Sequence, residues 1–333
     1  MPVLTRRTLL AGAAATGALA ATATRAQPDT VEASPPDLGG RAILITGTSS
    51  GFGRLGAQYY AERGAKVFAT MRNIPRPEAE ELRQLAADER LDLHVIEIDV
   101  LSDEQVTSGV AEAERINGRP IDVLVNNAGI GISGPAEVQD MEATMLAFDT
   151  NVFGYHRMAR AVLPGMRAQK SGQIFQISSQ LGRVIVPYGG HYSATKFAVE
   201  AMGEQLAYEL VPHDIEVTII EPGGYPTEVW VNRNIYTGAL RERAADRHTD
   251  GYPQVVAAMG TEDGSGRSAD PMDVPRAIAR TIALPAGTRP LRLPVSGGAI
   301  PQTAINEVAA RTQVEWLGRS PTLGPVMRAV HNV

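Results

Sequence analysis

Between residues 42 and 125, short apolar runs alternate with longer amphipathic stretches, and this alternation restricts the chain to few architectures. Ala42-Ile43-Leu44-Ile45-Thr46 reads as a strand that is apolar on both faces, and it runs into Gly47-Thr48-Ser49-Ser50-Gly51-Phe52-Gly53 and a helical stretch to about Arg63. Lys66 to Thr70 is a second strand, followed by a polar helix from Glu78 to Arg90. A third strand from Leu93 ends at Ile98 and Asp99, and a helix from Glu104 to Ile116 leads to a fourth at Asp122 to Val125. Strands that are apolar on both faces must be covered on both faces. Helical crossovers between parallel neighbours do this, so the pattern predicts a doubly wound parallel sheet in one α/β domain.

The remaining elements extend the same pattern. After Asn126-Asn127-Ala128-Gly129, one long helix is expected from about Met141 to Lys170, with Asn151 inside it and Pro164 as a bend. Ile174 to Ser178 and Glu216 to Ile220 read as further strands on either side of a helix from Tyr192 to Leu210, and Leu291 to Val295 as a seventh. A helix is expected over Val274 to Leu284 and a weak one over Asn306 to Trp316. Residues 225–271 are polar and punctuated by glycine, with Trp230, Tyr236 and Tyr252 spaced through them. A segment this long inside a compact domain is functional or disordered, and its aromatics favour a lid inserted after the sixth strand. The catalytic domain is thus expected over residues 40–300, with 301–333 as a C-terminal extension.

Strand, glycine turn and helix in succession form the setting of a phosphate-binding loop. The glycines let the backbone approach a pyrophosphate, whose charge meets the N–H groups and positive end of the helix. A second constellation follows the fifth strand. Ser179 ends that run, and Tyr192 and Lys196 stand at i and i+4, so a helix puts the ammonium and the phenol on one face. A free tyrosine, with a pKa of about 10, is a poor base at neutral pH, and a neighbouring cation favours its ionised form.

Composition excludes several classes. The chain has no cysteine, which removes disulfides, thiolate metal sites and a cysteine nucleophile. Its six histidines lack metal-ligand spacing, so no metal is expected. A formal charge of −6 argues against general nucleic-acid affinity. At the N-terminus, Thr5-Arg6-Arg7-Thr8-Leu9-Leu10 opens an Ala-rich run that ends in Thr24-Arg25-Ala26, which resembles a twin-arginine export signal over residues 1–26. Its removal takes the charge from −6 to −9, since it deletes three arginines and no acid. The expectation is a mature, periplasmic chain beginning near Gln27, with residues 27–39 as a linker and no stable membrane anchor. An uncleaved extension and a cytoplasmic location stay open.

Several motifs occur in one order: Thr46-Gly47-x-x-x-Gly51-x-Gly53, Asp99, Asn126-Asn127-Ala128-Gly129, Asn151, Ser179, Tyr192, Lys196 and Pro222-Gly223. Together they resemble the short-chain dehydrogenase/reductase family over roughly Gly40 to Val295. The resemblance implies a Rossmann-type fold and an oxidoreductase that interconverts an alcohol and a carbonyl. It implies Tyr192 as general acid or base, Lys196 lowering the phenol pKa and holding the nicotinamide ribose, and Ser179 steadying the reacting oxygen. Asn151 would hold a water that links Lys196 to solvent. The cofactor would lie along Gly47, Ser49, Ser50, Gly51, Phe52 and Gly53. It would also meet Asp99 and Val100, Asn126, Ala128 and Gly129, then Pro222 and Gly223, with Thr227 at its carboxamide.

An NAD-preferring member usually carries an acid at the end of the second strand, where this chain reads Ala69-Thr70-Met71-Arg72. Arg72 suits a 2′-phosphate and Ser49 resembles the loop serine that assists it, so NADP(H) is favoured and NAD(H) stays possible. Sequence near Arg72 resembles retinol- and hydroxysteroid-type members, which implies a hydrophobic alcohol or ketone as substrate. The resemblance also implies a homodimer or homotetramer built on the helices of Asn151 and Tyr192. A dinucleotide sensor without turnover and a family epimerase or dehydratase are the other readings. Retention of Tyr192 and Lys196 disfavours the first, and the short chain after Val295 the second.

Overall fold

The computed structural model describes residues 34–333. The expected export signal, and the linker up to residue 33, lie outside the described residues. Seven strands form one parallel sheet: β1 (Ala42–Thr46), β2 (Lys66–Met71), β3 (Leu93–Glu97), β4 (Val123–Asn126), β5 (Gly172–Ile177), β6 (Ile215–Pro222) and β7 (Arg292–Val295). Their order is β3-β2-β1-β4-β5-β6-β7, so chain direction across the sheet reverses between β1 and β4. In open parallel sheets that reversal opens a crevice at the carboxyl ends of the strands, where ligands bind.

The helices are α1 (Gly51–Glu62), α2 (Pro77–Asp88), α3 (Asp103–Asn117), α4 (Met141–Phe148), α5 (Gly154–Gln169), α6 (Tyr192–Leu210), α7 (Val229–Arg243), α8 (Asp246–Thr249), α9 (Pro253–Ala258), α10 (Asp273–Ala283), α11 (Gln302–Leu317) and α12 (Gly324–His331). Successive side chains of a strand point to opposite faces, and each central strand feeds two cores. Ile43, Ile45, Val123, Val125 and Phe175 pack with Tyr60, Leu82 and Ile278 on one face. Leu44, Leu124 and Ile174 pack with Val106, Met158 and Val162 on the other. Each such side chain, withdrawn fully from water, contributes about 1.5–3 kcal/mol. The fold also begins earlier than expected: Leu38, inside the expected linker, is buried in the first core.

Two regions differ from the sequence expectation. The long helix expected over residues 141–170 is broken by a π-helical turn at Asp149–Phe153, and Pro164 sits inside α5 without ending it. A π turn adds a residue to the helical circuit and re-aims the side chains within it, here Asn151. Residues 225–271 contain a fifteen-residue helix, α7, which the sequence pattern hid because two of its inward positions are Arg233 and Thr237. A small third core of Ile132, Val138, Leu240 and Met259 fastens this segment to the chain that follows β4. The C-terminal extension packs onto the fold as well, with Met327 of α12 buried.

Candidate active site

The crevice at the β1/β4 reversal is a cleft of about 710 Å³. Its floor is set by backbone fit. Gly47 has φ +71°, and a side chain there would bring Cβ to 2.8 Å from the Ala128 Cα. A Cβ at Gly53 would collide with the Gly47 carbonyl oxygen, so the start of α1 lies directly against the loop. Thr46 Oγ1 accepts hydrogen bonds from the N–H groups of Asn127 at 3.0 Å and Ala128 at 2.9 Å, which ties the turn after β1 to that after β4.

Most expected residues converge on this cleft. Gly47, Ser49, Ser50, Gly51 and Phe52 form one wall, Arg72, Asp99 and Val100 one end, and Ala128 and Gly129 the back. Pro222, Gly223 and Thr227 line it as well, as do Ser179, Tyr192 and Lys196. Backbone N–H groups at a helix start, with guanidinium groups at one end of the cleft, fit a dinucleotide pyrophosphate and ribose. Arg72 is held by its bond to the Tyr236 hydroxyl at 2.9 Å. A second guanidinium not anticipated, Arg76, lines the same end and is paired bidentately with Glu78. Among the described residues no group of three His, Cys, Asp or Glu side chains is arranged to hold a metal.

Three expected residues do not reach the cleft. Asn126 is fully buried, and its Nδ2 donates to Gln176 Oε1 at 3.0 Å and to the Tyr155 carbonyl at 3.3 Å. Strand alternation turns it into the sheet and gives the cleft position to Asn127, whose Nδ2 donates to the Thr46 carbonyl at 2.8 Å. Gly53 supports the loop from beneath. Asn151 is also fully buried: its Oδ1 accepts from Ile130 N at 2.8 Å, and its Nδ2 donates to the Ile130 carbonyl at 2.9 Å and Thr195 Oγ1 at 3.1 Å. Both amide protons are engaged, so the side chain braces the post-β4 loop against α6.

The chemistry gathers at the start of α6. Lys196 is buried, its Nζ donates to the Ile177 carbonyl at 2.8 Å, and it lies 5.6 Å from the centre of the Tyr192 ring. Burial pushes its ammonium down to about 8, against the pull of Glu200, one turn further along the helix and itself buried. Burial raises the Tyr192 phenol above its ordinary value, opposed by the Ser179 hydroxyl and the charge of Arg233. Burial thus outweighs the neighbouring charges at the phenol. In this state the phenol is protonated, and the opposing cation comes from α7. Ser179 Oγ accepts from Leu181 N at 3.1 Å, and its hydroxyl lies within reach of the Tyr192 phenol.

Arg233 and Glu200 were not anticipated as parts of this site. A sequence signal existed for both: Glu200 stands at i+4 from Lys196, and Arg233 at i+3 from the aromatic Trp230.

Known proteins with this arrangement are similar in sequence as well as shape. The 3-ketodihydrosphingosine reductase of Bacteroides thetaiotaomicron is 42% identical over 243 residues, covering 72% of this chain and 83% of that protein. Human retinol dehydrogenase 8 is 42% identical over 193 residues, and the matched part spans 56% of this chain and 60% of that one. The closed form of a serine dehydrogenase complexed with NADP+ superposes with a TM-score of 0.63 at 29% identity, covering 76% of this chain and 93% of that one. The sequence profile described as short chain dehydrogenase matches residues 41–236, more than half of the length, and the chain belongs to that family of oxidoreductases.

Proposed function

We propose that the protein interconverts a carbonyl and a secondary or primary alcohol with NADP(H), Tyr192 moving the substrate proton. The observation that carries this reading is the meeting of Ser179, Tyr192 and Lys196 at the end of the same cleft that begins at the Gly47 loop. A bound nicotinamide supplies the hydride in reduction and accepts it in oxidation. In reduction the Tyr192 hydroxyl gives its proton to the carbonyl oxygen, and the Ser179 hydroxyl donates a hydrogen bond to that oxygen as negative charge develops on it. Lys196 holds the ribose and offers positive charge to the phenolate left behind. A phenol that burial keeps protonated suits the reductive direction. The test is consumption of NADPH over a panel of ketones and aldehydes, with cofactor binding read separately by fluorescence. Binding without turnover on every member of the panel would favour the sensor.

Arg72 and Ser49 at the ribose end of the cleft support NADP(H) over NAD(H). Arg72→Asp replaces a phosphate partner with a charge that repels phosphate, and it is expected to move the kcat/KM preference towards NADH. A wild-type preference for NADH would overturn this assignment. Exposed Met141, Met145, Phe153, Phe197 and Met202, on the helices that carry Asn151 and Tyr192, support self-association as a dimer or tetramer, testable by light scattering. Export through Arg6 and Arg7 is proposed from sequence alone, and Arg6→Lys with Arg7→Lys is expected to retain the precursor inside the cell.

A further inference from the structure

The lid carries a charge arrangement that the proposed proton and hydride chemistry does not use. Trp230 opens α7, and its indole is fixed by donation from Nε1 to the Tyr225 carbonyl at 2.7 Å. Two guanidinium groups pack on that one indole: Arg267 with its Cζ 3.5 Å from the ring centre, and Arg233 at 4.6 Å. Both line the cleft with Tyr192 and Ser179. The Arg233 stem crosses the loop after β4, since a Cβ at Gly131 would lie 2.9 Å from the Arg233 Cδ.

The carboxylates beside this pair stand in solvent: Arg233 pairs with Glu262, and Asp263 lies near enough to feel the charge of Arg267. Arg233 meets Glu262, which is 54% exposed, while its own side chain is 19% exposed. Its Nε is buried with no hydrogen-bond partner among the described residues. Burial, and then the charge of Arg267, disfavour its protonated form. Two neighbouring cations, one of them with a buried Nε that makes no hydrogen bond, are stabilised together by any anion that enters between them and Tyr192. Stacked guanidinium groups also present the planar N–H fork that matches carboxylate and phosphate oxygens. The cleft is also lined by the apolar Ile130, Val186, Val229 and Ile235, with Asn232 and Glu262 among its polar residues.

We propose that Arg233, assisted by Arg267, is a specificity-determining residue that binds an anionic group, carboxylate or phosphate, on an otherwise apolar carbonyl substrate. This rests on the oxidoreductase reading above and narrows its substrate class. The same clamp repels a substrate with an ammonium near its carbonyl. The competing source of the same chemistry is the cofactor pyrophosphate, and the experiment separates the two.

The first arm needs no turnover. Octanoate and 1-octanol, neither of which has a carbonyl to reduce, are titrated by calorimetry into the NADPH-loaded protein. Octanoate is expected to bind more tightly than octanol, and Arg233→Met to remove about 10- to 100-fold of its affinity, the range for losing a hydrogen bond to a charged group. Equal affinity of the two ligands, or no loss in Arg233→Met, overturns the clamp. The second arm measures reduction of 3-oxooctanoate against its methyl ester. Arg233→Met is expected to lower the acid-to-ester ratio of kcat/KM by the same factor, a readout that a general loss of activity does not move. If Arg233→Met instead weakens NADPH and leaves that ratio intact, the pair belongs to the pyrophosphate and the proposal fails. Octanoate binding that depends on Arg233 without turnover of any carbonyl would keep the clamp and overturn the activity.

Discussion

In front of Tyr192 the lid sets two guanidinium groups on one indole, whereas behind Lys196 a single guanidinium is ringed by three carboxylates. The rear cluster is closed. Arg292 Nε lies 2.8 Å from Glu200 and 3.8 Å from Glu221, and its Nη2 lies 2.6 Å from Glu204. Asn306 of α11 adds donations to both oxygens of Glu221 at 3.0 and 2.7 Å. The frontal pair is open to the cleft and has its two neighbouring carboxylates, Glu262 and Asp263, in solvent, while the rear cluster is short of cations. That shortage has a visible effect: burial and the nearby Glu200 charge push the Glu221 carboxyl up to about 7. Charge left unmatched at the cleft is available to a ligand. Charge left unmatched inside the fold is resolved by taking up a proton.

Four measurements break or sharpen this contrast. The largest effect is at the seam between the regions, where Tyr192→Phe removes the group proposed to move the substrate proton. A loss of about 10²–10⁴-fold in kcat is expected with cofactor binding unchanged, since that is the typical value of general acid–base catalysis. Near-normal turnover would mean that another group carries the proton.

Next comes Arg292→Met, which strands the buried Glu200 and Glu221 and the half-buried Glu204, and is expected to cost about 3–5 kcal/mol in urea unfolding. Arg233→Met, at the open end, should change stability by only about 0.5 kcal/mol. Similar losses for the two variants would erase the distinction between a structural and a ligand-facing cluster.

A third measurement uses pH. The Lys196 ammonium, held down to about 8 by burial, loses its charge as pH rises through that value, so kcat/KM for reduction should fall on the alkaline side. Glu200 opposes that depression, and Glu200→Gln should move the limb to lower pH. A limb that stays in place would show that the rear cluster does not reach the catalytic lysine.

The smallest effect concerns Glu221. Its folded pKa is raised, so between pH 4.5 and about 7 the folded state holds a proton that the unfolded state has released. Stability should therefore fall as pH rises across that window, and Glu221→Gln should flatten the dependence. An unchanged slope in the variant would place the proton elsewhere.

Some of this was legible before any coordinates. The strands could be read because every central one is apolar on both faces, and Tyr192 and Lys196 because a helix fixes what i and i+4 share. Asn126 was placed in the cleft instead of Asn127 because a one-residue shift along a strand reverses the face, and the two neighbours are chemically identical. Arg233 was missed for a different reason. A charged residue at an inward helical position breaks the apolar period that reveals a helix, so the residue that matters in the lid also concealed its helix. Sequence spacing shows that Lys196 is near the phenol but not that both are desolvated, and burial is the largest influence on both groups.

The π turn at Asp149–Phe153 has a consequence for helical phase. An α-helix advances about 100° per residue, so one additional residue in the circuit rotates everything after it relative to everything before. Ala143 of α4 is buried in the small third core with Ile132 and Leu240, whereas Met158, Val162 and Met166 of α5 are buried in the second core. Deleting Thr150 would let one regular helix run through and turn Asn151 away from Ile130 and Thr195. The turn thus sits where one continuous rod passes from one core to the other.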